Sequence, residues 1–238
     1  MEMEPLSEPL TVVVLGATGA VGTQAIAALL TIPRIGRITV LTRRPAPVLA
    51  APVIQSHVVD TLDPQSYRHL LPGHRAAVCT FGVGQPSKVT DAEFVRVDKT
   101  SVLEFATACR QSGVTHFELL GSVGVDPLSR SFYLRTKGEL REALVALNFP
   151  RLSVFQPSMI LTPANRYGVG QGIMLALWPR IHGLLIGGWQ KYRGIPVETL
   201  GKAMATNLVV AGGHGTELLH WADIVRLADL NTTSTRLA

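Results

Sequence analysis

Cysteine is scarce. The 238 residues contain two, Cys79 and Cys109, with no CxxC and no Cys/His grouping. That excludes a disulfide framework and the ligand spacing of a zinc site, so no metal is expected and both thiols read as reduced core residues of an intracellular protein. Charge is thin too: Asp, Glu, Lys and Arg make up 16% of the chain, and a formal balance of +5 arises without any Lys/Arg-rich run. Scattered basic residues are not the footprint of a nucleic-acid surface, and none is expected. No apolar stretch is long enough to span a membrane as a helix, because the most apolar late region, 168–189, is broken by Pro179, Arg180 and His182. The first ten residues carry three Glu and no Lys or Arg, unlike a signal or transit peptide, so the expected location is cytoplasmic. Aromatics amount to 6%, which leaves the core to Val, Leu, Ile and Ala. Internal repeats and low-complexity tracts are also missing.

What is present is ample aliphatic material, 47% apolar residues, in a length suited to one domain over 1–238. Residues 1–9, with Pro5 and Pro9, read as a flexible leader. After them, strand-like and helix-like patterns alternate. Strands are predicted at 11–15, 37–41, 53–59, 76–80, 116–120, 151–155 and 216–221. Helices are predicted at 21–30, 91–111, 135–147 and 197–210. Strands separated by helices imply βαβ crossovers: an α/β fold with a doubly wound parallel sheet and helices on both faces. Ligands in such folds sit beyond the carboxyl ends of the strands. Regularity lapses in 163–196, where seven glycines fall between Gly168 and Gly194. This small C-terminal region is read as a lid over a substrate, or equally as a surface excursion or oligomer contact.

Directly after the first strand comes Gly16-Ala17-Thr18-Gly19-Ala20-Val21-Gly22. Between a strand and a helix, this spacing is a phosphate cradle. Gly16 makes the turn, Gly19 admits the pyrophosphate to the backbone, and Gly22 lets helix and strand pack. The free N–H groups of the helix start, around Ala20 and Val21, then face the anion, with Thr18 as a further donor. At the end of the second strand, where an NAD site usually has Asp or Glu, the chain has Arg43 and Arg44. No acidic residue occurs between the glycine turn and Asp60. Guanidinium groups suit a ribose 2′-phosphate, so the expected cofactor is NADP(H). Asp60 is placed either to meet the adenine edge or to cap a short helix near Pro64. Thr80, Phe81 and Gly82, after the fourth strand, should pass along the cofactor.

Ser122 follows the fifth strand, and Tyr133 and Lys137 come eleven and fifteen residues later. Four residues apart on a helix, Tyr133 and Lys137 share a face. A phenol is a weak acid with a pKa of about 10, and a neighbouring ammonium favours its ionised form. Ser122 would hydrogen-bond the same substrate oxygen. The set suits protonation of a carbonyl oxygen as hydride reaches the carbon.

These motifs, with Phe94-Val95-Arg96-Val97-Asp98, His116-Phe117-Glu118-Leu119-Leu120 and Ser153-Val154-Phe155-Gln156-Pro157, resemble the atypical short-chain dehydrogenase/reductases, and among them the Tat-interacting oxidoreductase group. The likeness runs from about Val12 to Trp221. It implies a Rossmann fold, NADPH binding, a Ser–Tyr–Lys set at Ser122, Tyr133 and Lys137, and a nicotinamide amide held by Pro157, Ser158 and Met159. Tyr133 and Lys137 are then cofactor contacts as well. Two departures stand out. Gln156 replaces the family's usual Arg, and the tetrad Asn has no clear counterpart, Asp98 being expected to support its own helix. The function expected is NADPH-dependent reduction of a small carbonyl compound. The alternative is an NADP(H)-sensing regulator that binds a protein partner. Epimerase chemistry is less supported, because no sugar-nucleotide anchor is legible.

Overall fold

A computed structural model describes residues 8–46, 51–162, 185 and 187–230. Seven parallel strands form the main sheet: β1 (Leu10–Leu15), β2 (Ile35–Thr42), β3 (Ile54–Val58), β4 (Ala76–Cys79), β5 (His116–Leu120), β6 (Arg151–Phe155) and, last, β9 (Gly215–Leu219). Their spatial order is β3-β2-β1-β4-β5-β6-β9. The chain runs outward from β1 to β3, then returns to place β4 on the other side of β1. The crevice above β1 and β4 is the switch point where such sheets bind ligands. β7 (Met159–Leu161) and β8 (Gly194–Pro196) form a separate parallel pair.

The centre of the sheet is buried on both faces, which is why β1 and β4 read as apolar runs, while the edge strands β3 and β9 are largely exposed. Val12 and Val14 face one core with α1 (Ala20–Leu29), α5 (Val197–Asn207) and α6 (Trp221–Asp229). Val13 and Leu15 face the other, filled by α3 (Ser101–Gln111) and α4 (Phe132–Ala146). Among the described residues no helix is long and apolar enough to cross a membrane.

The larger differences from the sequence reading fall at four elements. The predicted helix 91–111 is two helices, α2 (Asp91–Val95) and α3, joined by a π turn at Arg96–Thr100. The helix predicted at 135–147 begins at Phe132, because the Ser131 hydroxyl accepts from the Leu134 N–H and caps it. The helix predicted to Val210 ends at Asn207. The last predicted strand ends at Leu219; His220 N donates to the Asp223 carboxylate, and Trp221 opens α6. Of the segment 163–196, residues 163–184 and 186 lie outside the described residues, as does the leader up to residue 7.

A polar cluster interrupts the apolar face beneath α5. His116 Nε2 lies 2.9 Å from Ser153 Oγ, and Ser153 Oγ donates to Glu217 at 2.6 Å. Asn207 Nδ2 donates to Glu118 Oε1 at 2.8 Å, while Arg151 bridges Glu217 and Asn207. Burial pushes the Glu118 carboxyl well above its ordinary range and pulls His116 down to about 3. His116 is therefore neutral at pH 7. Although Ser, His and Glu are in hydrogen-bond contact here, Ser153 is fully buried, so the cluster joins β5, β6 and β9 to α5 and meets no substrate.

Candidate active site

The glycine turn explains itself in part without a ligand. Gly16 has φ +94°, and a Cβ there would sit 2.6 Å from the Phe81 backbone nitrogen. A Cβ on Gly22 would collide with the Gly16 carbonyl oxygen and Ala17. Those two glycines are demanded by the close pass of the turn over β4, which Thr80 Oγ1 fastens by donating to the Gly16 carbonyl at 3.0 Å. Gly19 is different. A Cβ there would meet only the Gly16 oxygen, at 3.3 Å, yet Gly19 lines both cavities above the sheet. It is also the N-cap of α1, with no side-chain cap and no acidic residue in the first turn. The amides of Ala20, Val21 and Gly22 thus begin a helix whose positive end has no anionic partner from the protein's own first turn.

Two cavities run along the carboxyl edge of the sheet and share Gly19, Thr80, Phe81 and Gly82. The smaller, of about 250 Å³, also has Gly16, Thr18, Arg43 and Thr61 on its wall. Thr61 is 2% exposed, and its hydroxyl has no hydrogen-bond partner. The larger, of about 520 Å³, adds Ala20, Val21, Asp98, Tyr133, Lys137, Ser158 and Met159. A shared cradle, an uncapped helix start and a buried, unanswered hydroxyl fit a dinucleotide laid across both cavities. A third cavity, of about 600 Å³, lies away from the strand ends between Arg68 and α3 and contains none of the predicted residues.

Tyr133 and Lys137 both stand on α4. The Tyr133 ring packs on Phe94 with centroids 5.5 Å apart, and Lys137 Nζ lies 6.0 Å from the centre of the same ring. Lys137 is ion-paired to Asp98 at 2.7 Å, both side chains being nearly buried. Asp98, buried in the π turn, therefore pairs with α4 rather than supporting its own helix. Ser122 follows Gly121 on the loop after β5. Gly121 N donates to the Phe155 carbonyl and Val123 N to that of Pro157, which pins the loop on both sides of the serine. Gly121 is on the cavity wall; Ser122, half-buried, comes next along the chain. Burial pushes the Cys79 thiol, at the end of β4, up to about 12, so it is no nucleophile.

Some predicted residues lie apart from the cavities. Arg44 is exposed and off both walls, whereas Arg43 is on the smaller one. Asp60 is exposed, and its carboxylate accepts from Leu62 N at 2.9 Å. The short helix at Pro64–Ser66 is capped by Asp63 instead. Gly22 is buried beneath the turn. Pro157 contributes through its carbonyl to the Ser122 loop. Thr61 and Asp98 were not assigned to the site from sequence. Thr61 carries no motif, and the inward turn of Asp98 depends on a π turn that no local pattern announces.

Comparisons with known proteins agree with this architecture. A family described as NAD(P)H-binding matches residues 16–148. The rat protein HTATIP2 is 32% identical over 219 residues, covering 91% of this chain and 88% of its own length. The protein fmp52, mitochondrial, of Emericella nidulans is 24% identical over 226 residues, covering 90% of this chain and 97% of its own length. Among solved structures, MoeE5 in complex with UDP-glucuronic acid and NAD superposes with a TM-score of 0.66 at 18% identity, covering 88% of this chain and 75% of that one. The Citrobacter sp. triphenylmethane reductase complexed with NADP(H) gives 0.62 at 17% identity, covering 87% and 68%. With its glycine cradle, switch-point cavities and Rossmann sheet, the chain belongs to the NAD(P)H-binding family and is a homologue of protein HTATIP2.

Proposed function

We propose that the protein is an NADPH-dependent reductase of a small carbonyl compound. The observation that carries this reading is the meeting of Tyr133 and Lys137 with the glycine turn and the 158–159 segment around one cavity. The reduced nicotinamide supplies the hydride when bound. Tyr133 gives its phenolic proton to the carbonyl oxygen, and Ser122 donates a hydrogen bond to that oxygen. The Lys137 ammonium stabilises the phenolate left behind, which takes a proton from water to complete the cycle. Preference for NADPH over NADH rests on Arg43, on the wall of the smaller cavity, and on the missing carboxylate at that position. A cytoplasmic location belongs to the same reading; fungal relatives are named mitochondrial, and fractionation of expressing cells distinguishes the two compartments.

The test follows NADPH absorbance against a panel of ketones, aldehydes and quinones. Replacing Tyr133 by Phe should lower turnover by at least ~100-fold while NADPH affinity stays within a few-fold. Unchanged turnover in that variant would remove Tyr133 from the chemistry. Binding of NADPH without turnover of any carbonyl would favour the nucleotide-sensing regulator.

A further inference from the structure

Asp98 is the one carboxylate on the wall of the larger cavity among the described residues, and both of its oxygens are engaged. Oδ1 pairs with Lys137 Nζ at 2.7 Å, and Oδ2 accepts from Val83 N at 2.8 Å. Gly82 lies against the same group: a Cβ there would stand 2.9 Å from Oδ1. The carboxylate thus joins α4 to the loop that follows β4. The arrangement is costly for a purely structural contact. Desolvating two charges often exceeds their mutual attraction, and an apolar pair of the same volume commonly gives equal or better stability. The π turn at Arg96–Thr100 that buries Asp98 is itself a departure from regular helix of a kind found often at functional sites.

We propose that Asp98 is a positioning residue for the nicotinamide half of the cofactor. One carboxylate holds the Lys137 ammonium and the Gly82–Val83 backbone in fixed relation, so that both reach that half together. The inference rests on the cofactor reading above. It adds a division of labour between the two cavities: the adenosine half is held by the glycine turn, Arg43 and Thr61, independently of Asp98, and the nicotinamide half depends on it.

The experiment compares two ligands on the full-length chain, NADPH and adenosine 2′,5′-bisphosphate, by fluorescence titration. The second ligand has only the adenosine half. In Asp98→Asn, NADPH affinity should fall about tenfold, equivalent to ~1.4 kcal/mol, while bisphosphate affinity stays within twofold. A change in field alone would move both anions in the same direction, and a general loosening of the fold would weaken both. Should Asp98→Asn fold poorly, Asp98→Glu keeps the charge but displaces the carboxylate by one methylene, leaves Lys137 in place, and should show the same split. Parallel shifts in the two ligands, or no shift in either, would overturn the proposal. If neither ligand bound the unaltered protein, the cofactor reading itself would fall, a result distinct from binding without the split.

Discussion

At the scale of single residues, Glu118 and His116 set opposite limits on stability. Glu118 ionises at 4.5 in an unfolded chain, and burial raises its carboxyl well above that in the fold. Above pH 4.5 the folded state binds the extra proton, so stability falls as pH rises, by at most about 1.4 kcal/mol per unit. His116 runs the other way. It protonates at 6.5 when unfolded and only near 3 when folded, so stability is lost as pH falls below 6.5. Together they favour the window between 4.5 and 6.5. Glu118→Gln removes one side of this balance and retains the oxygen that accepts from Asn207. Its melting midpoint should exceed the parent's by about 2–4 °C at pH 8, with the gain shrinking toward pH 5. Scanning calorimetry at the two pH values checks this, and an equal or lower midpoint at pH 8 would refute it. His116 and Glu118 are plain in the sequence as strand residues. Their alternation with Phe117 and Leu119 puts them on one face of β5, but which face carries polar partners is decided by Ser153, Asn207 and Glu217, 35 to 101 residues further along the chain.

At the scale of elements, α4 and the loop before it act as a unit. Asp126 N donates to the Leu134 carbonyl, and Arg141 donates to that of Val125. The loop crosses α4 at Gly138, where a Cβ would run into the backbone of Asp126 and Pro127. Gly138→Ala should therefore displace the loop that carries Ser122 and cost about 2 kcal/mol in stability, measured by urea unfolding. Under the reductase reading, turnover should drop more than NADPH affinity, since the glycine turn is untouched. Retained stability together with retained turnover would show that the loop is free of α4. The Tyr133–Lys137 spacing was legible as a helical pair, but the helix start was not. Ser131 is one of two serines in 129–131, and its capping bond to Leu134 N selects between them only in three dimensions.

At the scale of the whole molecule, sheet order creates the two joined cavities. Arg43, at the end of β2, reaches the smaller cavity because β2 lies beside β1. NADPH at one hundred times its dissociation constant should stabilise the protein by about 2.7 kcal/mol, raising the melting midpoint by roughly 5–10 °C. Arg43→Ala should lose most of that rise at the same NADPH concentration and leave any rise with NADH unaltered. A thermal-shift comparison of the two nucleotides reads this directly, and equal losses for both would detach Arg43 from the 2′-phosphate.

The seven parallel strands and the glycine cradle follow from the chain alone, because both depend on short-range periodicity. An apolar run must pair on both sides, and three glycines at fixed spacing admit a tight turn. Tertiary structure decided how Lys137 is used. The sequence shows an ammonium one helical turn from a phenol. Only the fold brings in Asp98, from a helix 39 residues earlier, as its partner at 2.7 Å. Asp98 is buried within the π turn at Arg96–Thr100, a departure from regular helix that the chain's periodicity does not announce. Thr61 is a similar case: its hydroxyl is a cavity wall because β3 ends beside β2, a contact made across the sheet and invisible along the chain.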